Sequence, residues 1–304
     1  MKKTQRRTAG KPPVKTNATR GRAPARATAS RPSVAKAAIA FIGGGNMATA
    51  MIKGFIAAGV CQSQEIIATD IDAKKRAALT RQLKVRTTAD NAVAAGAARV
   101  LILAVKPQIL ASVLEELRPL ISPRHVVVSI AAGWPTARIA AGLGETVRVV
   151  RVMSNTPALL GKGMSVAVRG RHATAADEKL VLRLLRTVGK ARAVADEPLL
   201  DAVTGVSGSG PAYVYLFAEA LIAGGVAAGL TTSDATELAL QTLSGAAAML
   251  QETGETPQAL RAAVTSPGGT TLAGLTEMER RGFSAAIVAG VAAAAQRAAE
   301  LGRG

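Results

Sequence analysis

Short apolar runs alternate with amphipathic stretches along the first two thirds of this chain. The first run, residues 38–42, is followed by a glycine triplet and by a helical pattern that continues to about Ala58. Further apolar runs, each followed by a helical pattern, predict strands at residues 65–69, 99–105, 126–130, 147–152 and 164–168. Continuous apolar strands that alternate with helices are typical of a parallel sheet covered on both faces. The pattern therefore predicts a doubly wound α/β domain.

The strand pattern ends near residue 195, and only helical patterns follow. The predicted helices cover residues 211–229, 233–253, 257–264, 270–281 and 283–301. Pro211 and Pro257 suit first helical turns, whereas Gly229 and Gly254 suit helix ends. Helices rich in small residues, as at 246–248, would expose apolar faces in an isolated domain. We therefore expect these helices to pack against a partner subunit.

Composition argues against a membrane-spanning, secreted, disulfide-bonded or metal-binding protein. The chain is 49% hydrophobic and only 2% aromatic, so small aliphatic side chains must build its core. No uninterrupted apolar run reaches the roughly 18–20 residues that span a bilayer, and no secretory signal pattern is present. Cys61 is the only cysteine and His125 and His172 are the only histidines, so we expect neither an intrachain disulfide nor a metal site. These features predict a cytoplasmic protein without membrane association.

The net charge of +18 is unevenly distributed. Residues 1–36 hold 11 basic residues and no acidic one, whereas the remainder holds 27 basic and 20 acidic residues. A polar block of like charges predicts a disordered, solvated tail. Non-specific contact of this tail with nucleic acid or an anionic surface, a transit peptide, and a translation start near Val34 are the alternatives.

The glycine triplet contains a dinucleotide-binding fingerprint. Gly43, Gly45 and Ala48 have the G-x-G-x-x-A spacing, between a predicted strand and a predicted helix. The first glycine allows the turn, the second lets the backbone approach a pyrophosphate, and the alanine permits close packing of helix on strand. The sequence thus predicts three parts: a basic tail (1–36), a Rossmann-type dinucleotide-binding domain (37–196), and an all-helical substrate-binding and dimerisation domain (197–304).

Asp70 ends the second predicted strand, 27 residues after Gly43. An acidic residue at this position usually accepts hydrogen bonds from the adenosine ribose and repels a 2′-phosphate, which favours NADH. The next helix opens with Lys74, Lys75 and Arg76, which could attract that phosphate or simply form a solvated face. The sequence therefore favours NADH as the cofactor, with NADPH as the alternative. Ligands bind at the carboxyl ends of strands in such sheets, which makes Lys106, at the end of the 99–105 strand, a candidate contact.

A second Gly-rich segment, Ser266-Pro267-Gly268-Gly269-Thr270-Thr271, opens one of the C-terminal helices. Proline restrains the turn, and the glycines let a ligand come close to the backbone. A helix N-terminus with free N–H groups and two hydroxyls is suited to a small carboxylate. The alternative is an ordinary capped helix start.

These motifs resemble those of the pyrroline-5-carboxylate reductase family, over residues 37–302. The likeness is carried by FIGGGNM (41–47), AVKP (104–107), SIAAG (129–133), MSNTPA (153–158), GVSGSGPAY (205–213) and the segment 260–279. The last two segments together are the most specific. Asp70 departs from the family pattern, because many members carry Ser or Thr there and prefer NADPH.

The resemblance implies reduction of L-Δ1-pyrroline-5-carboxylate, an imino acid, to L-proline by NADPH or NADH. It also implies an intertwined homodimer, often assembled further into a ring such as a decamer, with each active site between one subunit's nucleotide domain and its partner's helices. The implied substrate-binding residues are Glu197, Ser266, Gly268, Gly269, Thr270 and Thr271. Together with the fingerprint region, the implied contacts give a cofactor site of Gly43, Gly45, Asn46, Met47, Ala48, Asp70, Asn91, Val105, Lys106 and Ala131.

The residues of the helical part suit reduction of an imine. Residues 191–304 contain no lysine and no histidine, the usual bases for oxidation of an alcohol. A cyclic imine can enter protonated, so the protein must mainly position it, a contribution of roughly 7–11 kcal/mol. Thr271 is the predicted catalytic residue, with its hydroxyl near the ring nitrogen. Tyr213 and Tyr215 suit helix packing better.

Two other functions remain open at this point. One is reduction of a different imine or ketone on the same scaffold. The other is an NAD(P)-binding regulator without enzymatic activity, whose basic tail contacts nucleic acid.

Overall fold

One eight-stranded sheet forms the first half of the part of the chain described by a computed structural model, residues 39–303. The predicted tail, 1–36, lies outside these described residues. The strands are β1 (Ile39–Ile42), β2 (Ile66–Thr69), β3 (Arg86–Thr88), β4 (Val100–Leu103), β5 (Val126–Ser129), β6 (Arg148–Ser154), β7 (Gly163–Arg169) and β8 (Gly189–Ala193). Their order in the sheet is β3-β2-β1-β4-β5-β6-β7-β8.

The sheet is doubly wound, as predicted. Strands β3 to β6 are parallel, and the order reverses between β1 and β4, which is the point where ligands bind in open α/β sheets. The parallel pattern stops at β7, which pairs antiparallel with β6 and parallel with β8. Strands β3 and β8 escaped the sequence prediction because β3 has three residues and neither has a continuous apolar run.

Helices cover both faces of this sheet. They are α1 (Asn46–Ala57), α2 (Ala73–Leu83), α3 (Asn91–Ala97), α4 (Leu110–Leu117), α5 (Thr136–Leu143) and α6 (Ala175–Leu185). Alternate residues of β1 point to opposite faces: Ile39 and Phe41 join the cluster under α1, and Ala40 and Ile42 join the cluster under α3 and α4. Burial on both faces explains why the central strands are apolar throughout.

The second half is entirely helical in the described residues, which confirms the predicted change near residue 195. Its helices are α7 (Leu199–Val203), α8 (Gly210–Ala227), α9 (Thr232–Glu252), α10 (Pro257–Ala263), α11 (Thr270–Arg280) and α12 (Phe283–Arg303). The helices α8 to α12 begin and end within two residues of the predicted bounds. A π-helical turn, Thr204–Gly208, joins α7 to α8 and was not predicted. Such turns are often found at functional sites.

The helical half buries little of its own apolar surface. Among the described residues, α8, α10 and α11 contain no buried residue, α9 contains two and α12 contains one. Large side chains are exposed instead, including Leu216 (66%), Val288 (70%) and Val206 (64%). Apolar faces of this extent mark an interaction surface.

Within residues 39–303, one helical run is apolar enough, by length and composition, to cross a membrane, and the bent pair α11 and α12 passes only if taken as one span. It is Leu199–Ala227, with a mean hydropathy of 1.3 and only Asp201 and Glu219 as charged residues. Glycines, polar residues and these two acids interrupt its apolar residues, so no uninterrupted apolar run in it reaches the length that spans a bilayer. A helix that packs in a subunit interface has the same kind of composition.

Candidate functional site

The Gly-rich turn after β1 lies where the strand order reverses, at the carboxyl edge of the sheet. Gly43 adopts a φ of +103°, and a Cβ there would lie 2.8 Å from the carbonyl oxygen of Ala104, so only glycine fits. Gly45 is the N-cap of α1, without a side-chain cap, and a Cβ on it would meet nothing within 4 Å. The space beside Gly45, at the N-terminus of α1, is therefore open, which fits the pyrophosphate of a dinucleotide.

Asp70 directly follows β2, as predicted, and its carboxylate borders the Gly-rich turn. Its Oδ2 accepts the N–H of Gly44 at 3.1 Å and lies 3.6 Å from Nζ of Lys75. Arg76 donates through Nη1 to the carbonyl oxygen of Asp70 at 2.7 Å. Of the three cations that could attract a 2′-phosphate, Lys75 therefore pairs with the Asp70 carboxylate, whereas Arg76 bonds backbone carbonyl oxygens.

A chain of hydrogen bonds runs behind the Gly-rich turn. The N–H of Gly43 lies 3.3 Å from Oγ1 of Thr69, the last residue of β2. The Thr69 hydroxyl donates to Oδ1 of Asn91 at 2.6 Å, and Nδ2 of Asn91 donates to Oε2 of Glu116 on α4 at 2.8 Å. Asn91, a predicted cofactor contact, is thereby held beside the turn.

The loops after β4 and β5 complete this edge of the sheet. Val105 is half-buried beside the turn, and Lys106 is exposed immediately before Pro107. Trp134 follows β5 and donates from Nε1 to the carbonyl oxygen of Pro107 at 3.1 Å, which ties the two loops together. Ala131 is buried in the second of these loops.

Glu197 joins the helical half to the sheet. Its Oε1 accepts the N–H of Thr136 at 2.8 Å and Nη1 of Arg151 at 3.1 Å, and its Oε2 accepts the Thr136 hydroxyl at 2.7 Å. Arg151 is buried in β6, with Asp201 as a second acidic neighbour at 4.0 Å. Both oxygens of Glu197 are thus engaged by the protein.

The segment Ser266–Thr271 forms the predicted turn at the start of α11. Gly268 has a φ of +69°, and the N–H of Gly269 donates to the carbonyl oxygen of Ser266 at 3.0 Å. Gly269 is the N-cap and provides no side-chain cap, so the first N–H groups of α11 are free to bind a ligand. The hydroxyl-bearing residues Thr270 and Thr271 are exposed.

Within one chain, the structure brings the predicted cofactor residues together. It does not bring the substrate turn, Ser266–Thr271, to them. The residues that follow β1, β2, β4 and β5 share one edge of the sheet, whereas α11 packs mainly on α12 in the described chain. Glu116, Arg151 and Thr136 were not predicted from the sequence, because their partners lie 25 to 61 residues away. No local pattern could have identified them, although an arginine inside an apolar strand run was a signal.

Two side chains have strongly shifted pKa values. Burial, with a smaller effect of Glu65, raises the pKa of Cys61 to about 11. Hydrogen bonds from Arg280 and Arg281 lower the pKa of the exposed Glu277 to about 2. Neither group lies among the predicted site residues. No group of three or more potential metal ligands occurs within residues 39–303.

Known families match both halves of the chain. Residues 197–301 match the family described as pyrroline-5-carboxylate reductase dimerisation. Residues 38–133 match the family described as NADP oxidoreductase, coenzyme F420-dependent.

Individual proteins match nearly the whole chain. The pyrroline-5-carboxylate reductase of Methanosarcina acetivorans is 43% identical over 265 residues, 87% of this chain and 98% of the relative. That of Pseudomonas aeruginosa is 43% identical over 86% of this chain and 96% of the relative. Among solved structures, a pyrroline-5-carboxylate reductase from Coxiella burnetii superposes with a TM-score of 0.82 at 36% identity, covering 88% of this chain and 98% of that one. The Plasmodium falciparum enzyme with NADP bound gives 0.79 at 29% identity, covering 88% and 98%.

Proposed function

Because this chain belongs to the pyrroline-5-carboxylate reductase family, we propose that it reduces L-Δ1-pyrroline-5-carboxylate to L-proline with NADPH or NADH, the last step of proline biosynthesis. The observation that carries the proposal is the open end of α1 at Gly45, set at the switch point of a doubly wound sheet. The likeness to reductases across both halves of the chain then indicates the reaction.

The nucleotide half binds and orients the dinucleotide. N–H groups in the first turn of α1 bind the pyrophosphate, and Asp70 faces the adenosine ribose. Lys106 and Ala131 contact the other half of the cofactor. When bound, the nicotinamide supplies the hydride from its C4. Because the Asp70 carboxylate repels a 2′-phosphate and pairs with Lys75, the ribose pocket favours NADH over NADPH.

The turn Ser266–Thr271 binds the substrate. The N–H groups of Gly268 and Thr270 bind its carboxylate, whereas the N–H of Gly269 is engaged by the carbonyl oxygen of Ser266. The Thr271 hydroxyl hydrogen-bonds the ring nitrogen. Hydride adds to C5 of the protonated C=N bond, and the electron pair of that bond moves to nitrogen, so no base is required. Glu197, whose oxygens are occupied by Thr136 and Arg151, acts as a positioning residue at the edge of the site.

The substrate turn reaches the cofactor of a partner subunit. In support, α11 packs mainly on α12 within its own described chain, and the apolar faces of the helical half need a second copy to cover them. The homodimer is the functional unit of this proposal, and dimers assemble further into a decamer. The protein acts in the cytoplasm, which suits a chain with a single cysteine.

The direct test is turnover of pyrroline-5-carboxylate by the purified full chain, followed at the nicotinamide absorbance and by detection of L-proline. We expect turnover with both cofactors. Oxidation of NAD(P)H only with another imine or a ketone would identify the other reductase class. Cofactor binding without any turnover, together with salt-sensitive DNA binding lost on deletion of residues 1–33, would identify a regulator.

A further inference from the structure

Glu116 lies at one end of the hydrogen-bond chain behind the Gly-rich turn, and it decides which group donates and which accepts at each step. Glu116 accepts Nδ2 of Asn91 at 2.8 Å, and a carboxylate can only accept. The Asn91 amide must therefore turn its nitrogen toward Glu116 and its oxygen toward Thr69. That oxygen accepts the Thr69 hydroxyl at 2.6 Å, so the lone pairs of Thr69 Oγ1 face the N–H of Gly43 at 3.3 Å.

The opposite orientation of the Asn91 amide would reverse the donor and the acceptor in its bond with Thr69. Nδ2 of Asn91 would then donate to Oγ1 of Thr69, and the Thr69 hydroxyl proton would compete with the N–H of Gly43. Gly43 also donates to the carbonyl oxygen of Thr69 at 3.0 Å, and its φ of +103° defines the turn that leads to Gly45. The orientation of the Asn91 amide therefore decides whether Thr69 Oγ1 can accept the N–H of Gly43 and so stabilise the turn.

We propose that Glu116 is a positioning residue for the dinucleotide: it fixes the Asn91 amide, and through Thr69 the Gly-rich turn. Glu116 lies on the exposed side of α4 and acts only through Asn91. The inference rests on the dinucleotide-binding part of the proposed function and not on the identity of the substrate.

Charge and hydrogen bonding predict opposite effects at this position. Removal of a negative charge near an anionic dinucleotide should tighten binding by Coulomb's law. Loss of the fixed amide should weaken it. Glu115 is the matched control, because it is the adjacent exposed glutamate on α4 and its side chain makes no hydrogen bond within residues 39–303.

The test compares Glu116→Gln with Glu115→Gln in the full chain. The glutamine at position 116 keeps the size of the side chain but can donate or accept, so the direction of the chain is no longer fixed. Trp134, the only tryptophan, lies beside the cofactor edge, and quenching of its fluorescence by NADPH or NADH gives a dissociation constant without substrate.

We expect Glu116→Gln to raise the Kd of the cofactor about three- to tenfold, with an unchanged melting temperature and an unchanged KM for the imine. Glu115→Gln should leave the Kd unchanged or lower. In an Asn91→Ala background, Glu116→Gln should not weaken binding further, because only its charge effect then remains. An unchanged Kd for Glu116→Gln, equal effects of the two glutamine variants, or additive effects with Asn91→Ala would each overturn the assignment. Failure of the chain to reduce pyrroline-5-carboxylate would leave this binding test unaffected.

Discussion

Glu197 caps helix α5 from a position 61 residues beyond Thr136 in the chain: its carboxylate accepts both the backbone N–H and the hydroxyl of that first helical residue. The same carboxylate pairs with the buried Arg151. One acidic side chain thereby fastens the start of the helical half to a strand and to a helix of the nucleotide half.

Replacement of Glu197 by alanine should destabilise the protein. The variant leaves a buried guanidinium and a helix N-terminus without their shared acceptor, at a cost of about 1–3 kcal/mol. Urea unfolding at one fixed protomer concentration measures this, since the stability of an oligomer depends on concentration. Asp196→Ala, at the adjacent exposed position, is the control and should cost less than about 0.5 kcal/mol. Equal losses for the two variants would contradict the capping role.

Thr271→Ala should lower kcat/KM for the imine while the fold stays intact. Loss of a hydrogen bond to a charged group costs about 1.5–3 kcal/mol, or roughly 10- to 150-fold in rate. Steady-state kinetics with saturating cofactor provides the value. Thr276→Ala is the control on the same helix, because that hydroxyl bonds its own backbone at Leu272. Wild-type kinetics for Thr271→Ala would rule out its catalytic role.

Asp70→Asn should shift cofactor preference toward NADPH. The amide oxygen can keep one of the two N–H groups that the carboxylate accepts, those of Gly44 and Asp72. The charge that repels a 2′-phosphate is gone, and Lys75 is released. We expect the ratio of kcat/KM for NADPH to that for NADH to rise roughly tenfold or more. Asp72→Asn removes the same charge two residues away and keeps the helix cap, so its ratio should stay near that of the wild type. A strong preference of the wild-type protein for NADPH would contradict the role of Asp70 in repelling the 2′-phosphate.

Leu216→Glu should separate the subunits. This side chain is 66% exposed on α8, and a charge placed in an apolar subunit interface loses its hydration without a partner. Light scattering coupled to size-exclusion chromatography should report a smaller assembly, with loss of activity. Val93→Glu, which is 52% exposed on α3, should leave the assembly intact. An unchanged mass of the Leu216→Glu assembly would show that Leu216 lies outside the subunit interface.

Cys61 should resist thiol reagents in the folded protein. Burial raises the pKa of its thiol from 9.0 to about 11, so the reactive thiolate is scarce near neutral pH. The thiol's contribution to stability is present below the unfolded pKa and is lost as the pH rises toward the folded value. Labelling with an aromatic disulfide at pH 8 should be slow in native protein and fast in urea. Rapid labelling of the native chain would show that this site opens.

Sequence pattern alone predicted the features that depend on neighbouring residues. The turn at Gly43, the position of Asp70 at the end of β2, and the extents of α8 to α12 all follow from local periodicity and turn chemistry. The direction of β7 was not predictable, because an apolar strand pattern has the same period in either direction. The partners of Glu197 and Glu116 were not predictable either, because strand order and helix packing decide which distant residues meet.

The scant burial in helices α8 to α12 makes these positions sensitive to mutation in a particular way. In the proposed dimer, residues of these helices pack against the partner subunit, so a substitution there changes the contacts that both chains make with each other. The same change under the sheet alters only contacts within its own chain. Selection on the alanines and glycines of this region acts on self-recognition and on folding together, since neither is complete without the other.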